Sequence, residues 1–374
     1  MTRVPAFTSS VLGPHDRGVE FGEHHAAEVA RTVASYRRLF VTRALGPFDV
    51  DHWADHAWQR IRELAPAAAE EIDGIAAGAG VRVRDIAALN ARTELLAVAN
   101  PTGVDECSTV VALPAGRAPV AVQTWDWYDA MRHGWLRWTI PHPGGRVVET
   151  VTEYGLLGKI GVSSEGVGVL FNMLHHASDA GAADDGIGFP VHLLSRQLLD
   201  TAEDLDDAVA QARAVRTSAS SSLTVVQGGP DGGRTASVEL FPGGAGVLEP
   251  EGGLLVRTNH FVSEEGRDGC LSTSIGPGSG IRRDTLLGAF EERLPRTAEQ
   301  VVAAMDDHAE VGGVCAHPDR STDPALWHAT LATVALDTAA PTGQRLAVTP
   351  GGPCARPGRS DGPADPGRPQ ERGR

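Results

Sequence analysis

The sequence predicts an α+β fold, on three observations. Helical periodicity dominates before Pro101, short β-branched runs separated by Gly and Pro take over after it, and a helical block divides those runs into groups. Helices first, then strands, helices and strands again argue for layered α+β rather than strict βαβ alternation.

Within residues 24–42, Val29, Val33, Tyr36 and Phe40 fall at spacings of four, three and four, which puts them on one helical face. A second helix is predicted over Asp51–Leu64 with Asp51 as its N-cap. Pro66 suits the first turn of a third, which the glycines of EEIDGIAAGAG terminate. VRVRDIAALNARTELLAVAN reads as a short lead and a further helix. Strands follow at 109–113, 119–124, 147–153, 156–162 and 167–171, then at 222–227, 235–240 and 254–258, and finally at 331–337 and 345–348. Between the first two groups, Val191, Leu194 and Leu198 share one helical face, and Leu205, Ala208, Ala212 and Val215 another. Residues 281–291 and 297–306 are the remaining predicted helices. From Gly351 to Arg374 the chain is rich in Gly, Pro, Arg and Asp and nearly devoid of apolar residues, so a disordered tail is expected over 351–374.

Bulk properties exclude several classes of function. With 374 residues, 41% of them hydrophobic, the chain can bury a sizeable core. A formal charge of −15 argues against a nucleic-acid partner, which needs clustered Lys and Arg. No run approaches the ~18 apolar residues of a membrane span, and MTRVPAFTSSVLG has no apolar segment of the kind a secretory signal carries. The expected location is the cytoplasm, without a membrane partner. None of the four cysteines, Cys107, Cys270, Cys315 and Cys354, forms a C-x-x-C pair, and the adjacent His175 and His176 have no third ligand at a recognisable spacing, so no metal is expected.

The informative segment is GVDECSTVVALPAGRAPVAVQTWDWYD. Two strand-like runs flank ALPAGRAP, which predicts an antiparallel hairpin. With its centre between Gly116 and Arg117, opposed residue numbers total 233 and Asp126 lies across from Cys107. A carboxylate beside a thiol raises the thiol pKa, the wrong direction for a simple thiolate nucleophile. The pair makes sense if the carboxylate holds a cation, and an α-amino group on Cys107 would serve. Its reference pKa of about 7.7–8.0 suits a general base for its own thiol. That requires the Glu106–Cys107 bond to be cut.

These residues resemble the autoproteolytic acyltransferases typified by isopenicillin N acyltransferase, of the N-terminal-nucleophile hydrolase superfamily. A Cys-Ser/Thr-Thr strand followed by Gln-x-Trp-Asp-Trp/Phe is matched by Cys107, Ser108, Thr109 and by Gln123, Thr124, Trp125, Asp126, Trp127. EEIDGIAAGAG…ALNARTEL before them, and FNML at 171–174, RTNHF at 257–261 and VCAHPD…ATVALD…LAVTPG after them, fall in the family's order over residues 15–353.

The resemblance implies a four-layer αββα sandwich, two antiparallel sheets face to face with helices outside. It implies a helical segment 1–106 that becomes the smaller chain after cleavage between Glu106 and Cys107, and a catalytic domain over 107–350, the two remaining associated as a heterodimer. Cys107 is implied as the nucleophile, Asp126 as the carboxylate holding the new amino terminus, and Asn259 as the oxyanion donor. Gln123, Trp125, Asn172 and Arg282 are the implied substrate-binding residues, with Arg283 an open alternative to Arg282. Trp125 and Trp127 are expected to wall the acyl group, one of them packing in the core. Glu106 departs from the glycine of the penicillin enzyme. The implied activity is cleavage or transfer of an acyl group at an amide or thioester of a small-molecule substrate, with no cofactor beyond coenzyme A as a co-substrate thioester. The alternatives are a hydrolase without a transferase step, acting on N-acyl amino acids or small peptides, and a non-catalytic, degenerate copy of the fold.

Overall fold

A computed structural model describes residues 4–10, 13–102, 107–181, 186–229, 232–272 and 277–355. Strand β1 (Ala6–Thr8) precedes six helices: α1 (Pro14–His24), α2 (Ala26–Arg43), α3 (Val50–Leu64), α4 (Pro66–Ala79), α5 (Val83–Asn90) and α6 (Arg92–Ala99). Strands β2 (Ser108–Ala112), β3 (Val120–Tyr128), β4 (Trp135–Pro141), β5 (Val147–Glu153), β6 (Ile160–Ser163) and β7 (Val167–Met173) follow. Helices α7 (Val191–Thr201) and α8 (Leu205–Ala214) lead to β8 (Ser221–Gly229), β9 (Gly232–Phe241), β10 (Gly244–Leu248) and β11 (Leu254–Arg257). The short α9 (Glu264–Arg267), then α10 (Gly278–Ala289), α11 (Ala298–Ala304), β12 (His328–Leu336) and β13 (Leu346–Pro350) complete the order. Among the described residues, no helix is long and apolar enough to cross a membrane.

Two sheets form, ordered β1-β4-β5-β6-β7-β8-β9-β10 and β11-β2-β3-β12-β13. The expected αββα layering is present. Alternation along the strands sends successive side chains to opposite faces, and the five-stranded sheet uses both. Val110, Val122 and Val256 point outward to Leu286, Phe290, Val301 and Met305 of the α10–α11 layer. Val111, Ala121 and Trp125 point inward to the core shared with the eight-stranded sheet. On the far side of that sheet, α7 lies on β6 and β7, and α8 on β8 and β9.

Helices α1 and α9 and strands β1, β4 and β10 are additions to the predicted elements. Gly18 and Gly22 on α1 meet Gly74 and Gly78 on α4, and a Cβ on Gly22 would lie 2.5 Å from Ile75 O. Small residues let the two backbones touch, which an amphipathic-stripe search does not detect. The helix predicted from Asp51 is capped instead by Asp49, whose carboxylate accepts from the amides of Asp51 and His52. The first residues of the expected tail are structured, with Pro353–Ala355 in a 3-10 turn and Pro353 buried; the rest of it, 356–374, lies outside the described residues.

The helical N-terminal segment shares the core with the sheets, and a buried polar network joins the two. Arg92 pairs with Glu153 at 3.1 Å, Lys159 Nζ lies 3.6 Å from the same carboxylate, and Trp127 Nε1 donates to Tyr36 OH at 2.8 Å. Tyr36 OH in turn donates to Glu153. Asn90 donates to Gly155 O and accepts from Leu157 N, and Glu94 accepts from Val191 N. Burying such groups is tolerable only when each finds partners.

Lys159 is the costly member of this network: burial, then the neighbouring Arg92, lower its pKa from the usual 10.5 to about 7, against the pull of Glu153 and Cys107. Between those two values the unfolded chain binds a proton that the folded chain does not. The cost of charging Lys159 is therefore full below about pH 7 and fades as the pH rises toward 10.5. Lys159→Met, with Arg92 still on Glu153, should raise Tm more at neutral pH than near pH 10 in thermal melts. A shift of equal size at both would contradict this reading.

Candidate functional site

Cys107 sits at the head of β2, at the seam between the two sheets, with its side chain 5% exposed. β2 and β3 form the predicted hairpin, but Ser108 pairs with Thr124 and Thr109 with Gln123, so the opposed numbers total 232 and the turn centres on Gly116. Gly116 adopts φ +67°, which favours glycine. The one-residue difference matters because it changes faces. Trp125, not Asp126, is level with Cys107, and both belong to the inner core. Alternation assigns Asp126 to the outer face with Ser108 and Thr124. Asp126 therefore lies one step beyond Cys107 on the side of its main-chain nitrogen. Its side chain is buried, and its backbone carbonyl is 3.5 Å from Cys107 Sγ. A carboxylate that serves the main-chain nitrogen rather than the thiol needs this placement.

The carbonyl of Cys107 receives two side-chain donors from opposite layers: Asn172 Nδ2 on β7 at 3.1 Å, and Arg282 Nη1 on α10 at 2.9 Å. Arg282 also donates to Ser108 Oγ at 3.0 Å and, through Nη2, to Asn259 Oδ1 at 2.9 Å. Of the two adjacent arginines, Arg282 is the buried one that reaches Cys107, while Arg283 is half-buried.

Asn259, just after β11, has its amide orientation fixed from both ends. Its oxygen takes Arg282, and its nitrogen donates to Met173 O at 2.9 Å. An amide nitrogen carries two N–H groups, so the bond to Met173 occupies one. Ser279 Oγ accepts from Asn259 N at 2.8 Å and steadies the turn.

Gln123 bridges the sheets by gripping the backbone of Phe171: its carbonyl accepts from Phe171 N at 3.1 Å and its amide donates to Phe171 O. That is a scaffold contact, and it holds β7 and Asn172 against β2. Thr109 Oγ1 completes the clamp, donating to Asn172 Oδ1 at 2.8 Å. Trp125 and Trp127, two residues apart, share a face rather than alternating, and both are buried. Lys159 Nζ lies 3.8 Å from the ring centre of Trp125 and 5.5 Å from that of Trp127. Arg92 covers the other part of Trp127 at 4.3 Å.

The structure thus gathers Cys107, Asp126, Asn172, Asn259 and Arg282, drawn from both sheets and α10, around one residue. Glu106, the other half of the expected cleavage site, lies outside the described residues. Sequence reasoning does not single out Lys159. Its one visible signal is a lone lysine in the otherwise apolar LLGKIG, and its charge is close enough to act on Cys107.

Comparison with known proteins gives the family. A family model described as acyl-coenzyme A:6-aminopenicillanic acid acyl-transferase matches residues 152–345. The 40 kDa form of acyl-coenzyme A:6-aminopenicillanic-acid-acyltransferase from Emericella nidulans is 35% identical over 144 residues, which spans 38% of this chain and 38% of that relative. Among solved structures, penicillin V acylase from Agrobacterium tumefaciens aligns at 13% identity and a TM-score of 0.43, covering 65% of this chain and 83% of that one. A mutant of conjugated bile acid hydrolase from Clostridium perfringens aligns at 9% identity and a TM-score of 0.38, covering 65% of this chain and 92% of that one. Both scores are too low to bear on the fold, which rests on the strand order and inter-sheet contacts above. Matched by the family model over more than half of its length, the chain belongs to the acyl-coenzyme A:6-aminopenicillanic acid acyl-transferase family.

Proposed function

We propose that the protein severs its own chain between Glu106 and Cys107 and then works as an N-terminal-cysteine acyltransferase or amidohydrolase. The observation that carries the reading is the double hold on the Cys107 carbonyl by Asn172 and Arg282, with Asn259 fixed by the same guanidinium. It aligns a thiol, a main-chain nitrogen and an amide donor in one buried place.

In the first act the Cys107 thiol adds to the carbonyl carbon of Glu106. The C–S bond forms, the C–N bond breaks and the α-amine leaves with the thiol proton; water then hydrolyses the thioester, freeing the Cys107 thiol and the Glu106 carboxylate. In the second act that amine takes the thiol proton, and Asp126 holds the ammonium so formed. The thiolate adds to the carbonyl carbon of a substrate amide or thioester. The second N–H of Asn259, with a backbone N–H, stabilises the oxyanion. The leaving amine or thiol departs with the proton from the ammonium, and the acyl group passes to water or to an acceptor amine. Residues 1–106 form the smaller chain, and 107–374 the larger, with the catalytic domain over 107–350. Trp125 and Trp127 favour an apolar acyl group, and a coenzyme A thioester is the donor the family description suggests. No metal or redox cofactor enters these steps.

Incubation of the mature protein with an acyl-coenzyme A thioester should add the acyl mass to the peptide that begins at Cys107. Asn259→Ala should slow acylation about 100- to 1,000-fold, while Cys107→Ala should show none. Acylation at another cysteine, or an unchanged rate with Ala at 259, would overturn the assignment. A competing amine added with the donor separates the two fates, because new amide forms in water only if the enzyme transfers.

A further inference from the structure

Away from Cys107, the fold brings together four side chains that the sequence keeps apart: His308, Cys315, His317 and Cys354. One potential ligand atom from each lies within 4.8 Å of all the others. Cys315 Sγ is 3.5 Å from Cys354 Sγ and 3.6 Å from His317 Nε2, and Cys354 Sγ is 3.5 Å from the same nitrogen. Bonds of about 2.3 Å to sulfur and 2.0–2.1 Å to nitrogen in a tetrahedron require ligand atoms about 3.3–3.8 Å apart. The three measured separations fall in that range. The rings of His308 and His317 stack at 5.1 Å, and His308 Nδ1 faces Asp306 at 3.6 Å, leaving Nε2 for an ion. A carboxylate behind a ligating histidine is the usual means of orienting one.

We propose that these four residues bind a single structural zinc ion. Two thiolates and two imidazoles in a tetrahedron select zinc over the hard, oxygen-seeking cations, and four protein ligands leave no open position for chemistry. The sequence gives no warning because the spacing lacks the paired short loops of familiar zinc motifs. The ligands come from three segments: the connection after α11, the loop before β12, and the 3-10 turn after β13. Each is already tied down. Cys315 N donates to Asp307 O at 2.9 Å, Ala316 N to Thr330 Oγ1 at 3.0 Å, and Gly351 N to Leu331 O at 2.9 Å. A side chain at Gly352 would run into Cys315 Sγ, so the backbone itself must pass beside the sulfur. Thr330 is the β12 partner of Asp126. The ion would thus fasten the end of the chain to the strand beside that carboxylate, a role in positioning rather than in reaction.

Untagged full-length protein, purified without chelator, should carry about one zinc per chain by elemental analysis. After stripping and loading with cobalt(II), it should show the strong visible bands of a tetrahedral ion and a thiolate charge-transfer band. Cys354→Ser, at a partly exposed position, and His317→Ala should each lose zinc and weaken that spectrum. Cys270→Ser, a thiol outside the cluster, should change neither. Should one variant fail to fold, the other and the parent protein carry the result. Absence of zinc together with no cobalt spectrum, or a Cys315–Cys354 disulfide in peptides alkylated before reduction, would overturn the proposal.

Discussion

The site depends on the buried guanidinium of Arg282. A cation removed from water is costly unless its donors are met, and here they reach the carbonyl of Cys107, the hydroxyl of Ser108 and the amide oxygen of Asn259. The same contacts fix three things: the height of Cys107 in the seam, the link between α10 and β2, and the direction in which Asn259 presents its N–H groups. Asn172 supports the Cys107 carbonyl from the opposite sheet. Gln123 and Thr109 keep that sheet in register with β2 and β3. The αββα layers serve this purpose, since a donor from the opposite sheet and one from an outer helix converge on a carbonyl of the five-stranded sheet where the sheets face each other.

Much of this was legible in the sequence where the pattern is local. The strand at 147–153 is found at those residues, the hairpin of β2 and β3 forms, and helices begin near Pro66 and end at Gly80. Errors arose where the determinant is a contact or a count in a loop. One residue in the turn at Gly116 moved Asp126 from opposite the thiol to beside the main-chain nitrogen, and no periodicity argument can count that loop. Helix α1 escaped because its contact face with α4 is built on glycines rather than on large apolar residues. Lys159 and the cluster of His308, Cys315, His317 and Cys354 are invisible for a related reason, since their significance lies in neighbours distant in sequence. Arg282 and Arg283 were equivalent as letters, and burial separated them.

The N-terminal helices are part of the site's foundation rather than an appendage. Tyr36 and Arg92 meet Glu153 and Trp127 immediately behind Trp125, and Phe21 packs on Trp138 at 4.4 Å between ring centres. A cut before Cys107 would release the covalent link while leaving these buried contacts intact. The two fragments would then remain one folded body, with the new amino terminus inside it. Lys159, poorly solvated and facing Trp125, adds positive potential near Cys107 when it is protonated, below about pH 7. Both features suit the role proposed for Cys107, whose thiol would lose its proton within the protein interior.

Intact mass under denaturing conditions, for the natural chain and Cys107→Ala, tests the central claim most directly. Cleavage before Cys107 divides the 39.2 kDa, 374-residue chain into fragments of 106 and 268 residues, about 11 and about 28 kDa, with the larger beginning at cysteine. The account predicts those two species from the natural chain and a single full-length species from the alanine variant. A single 39.2 kDa species from both would contradict it, and would leave a family member whose thiol never gains its amine.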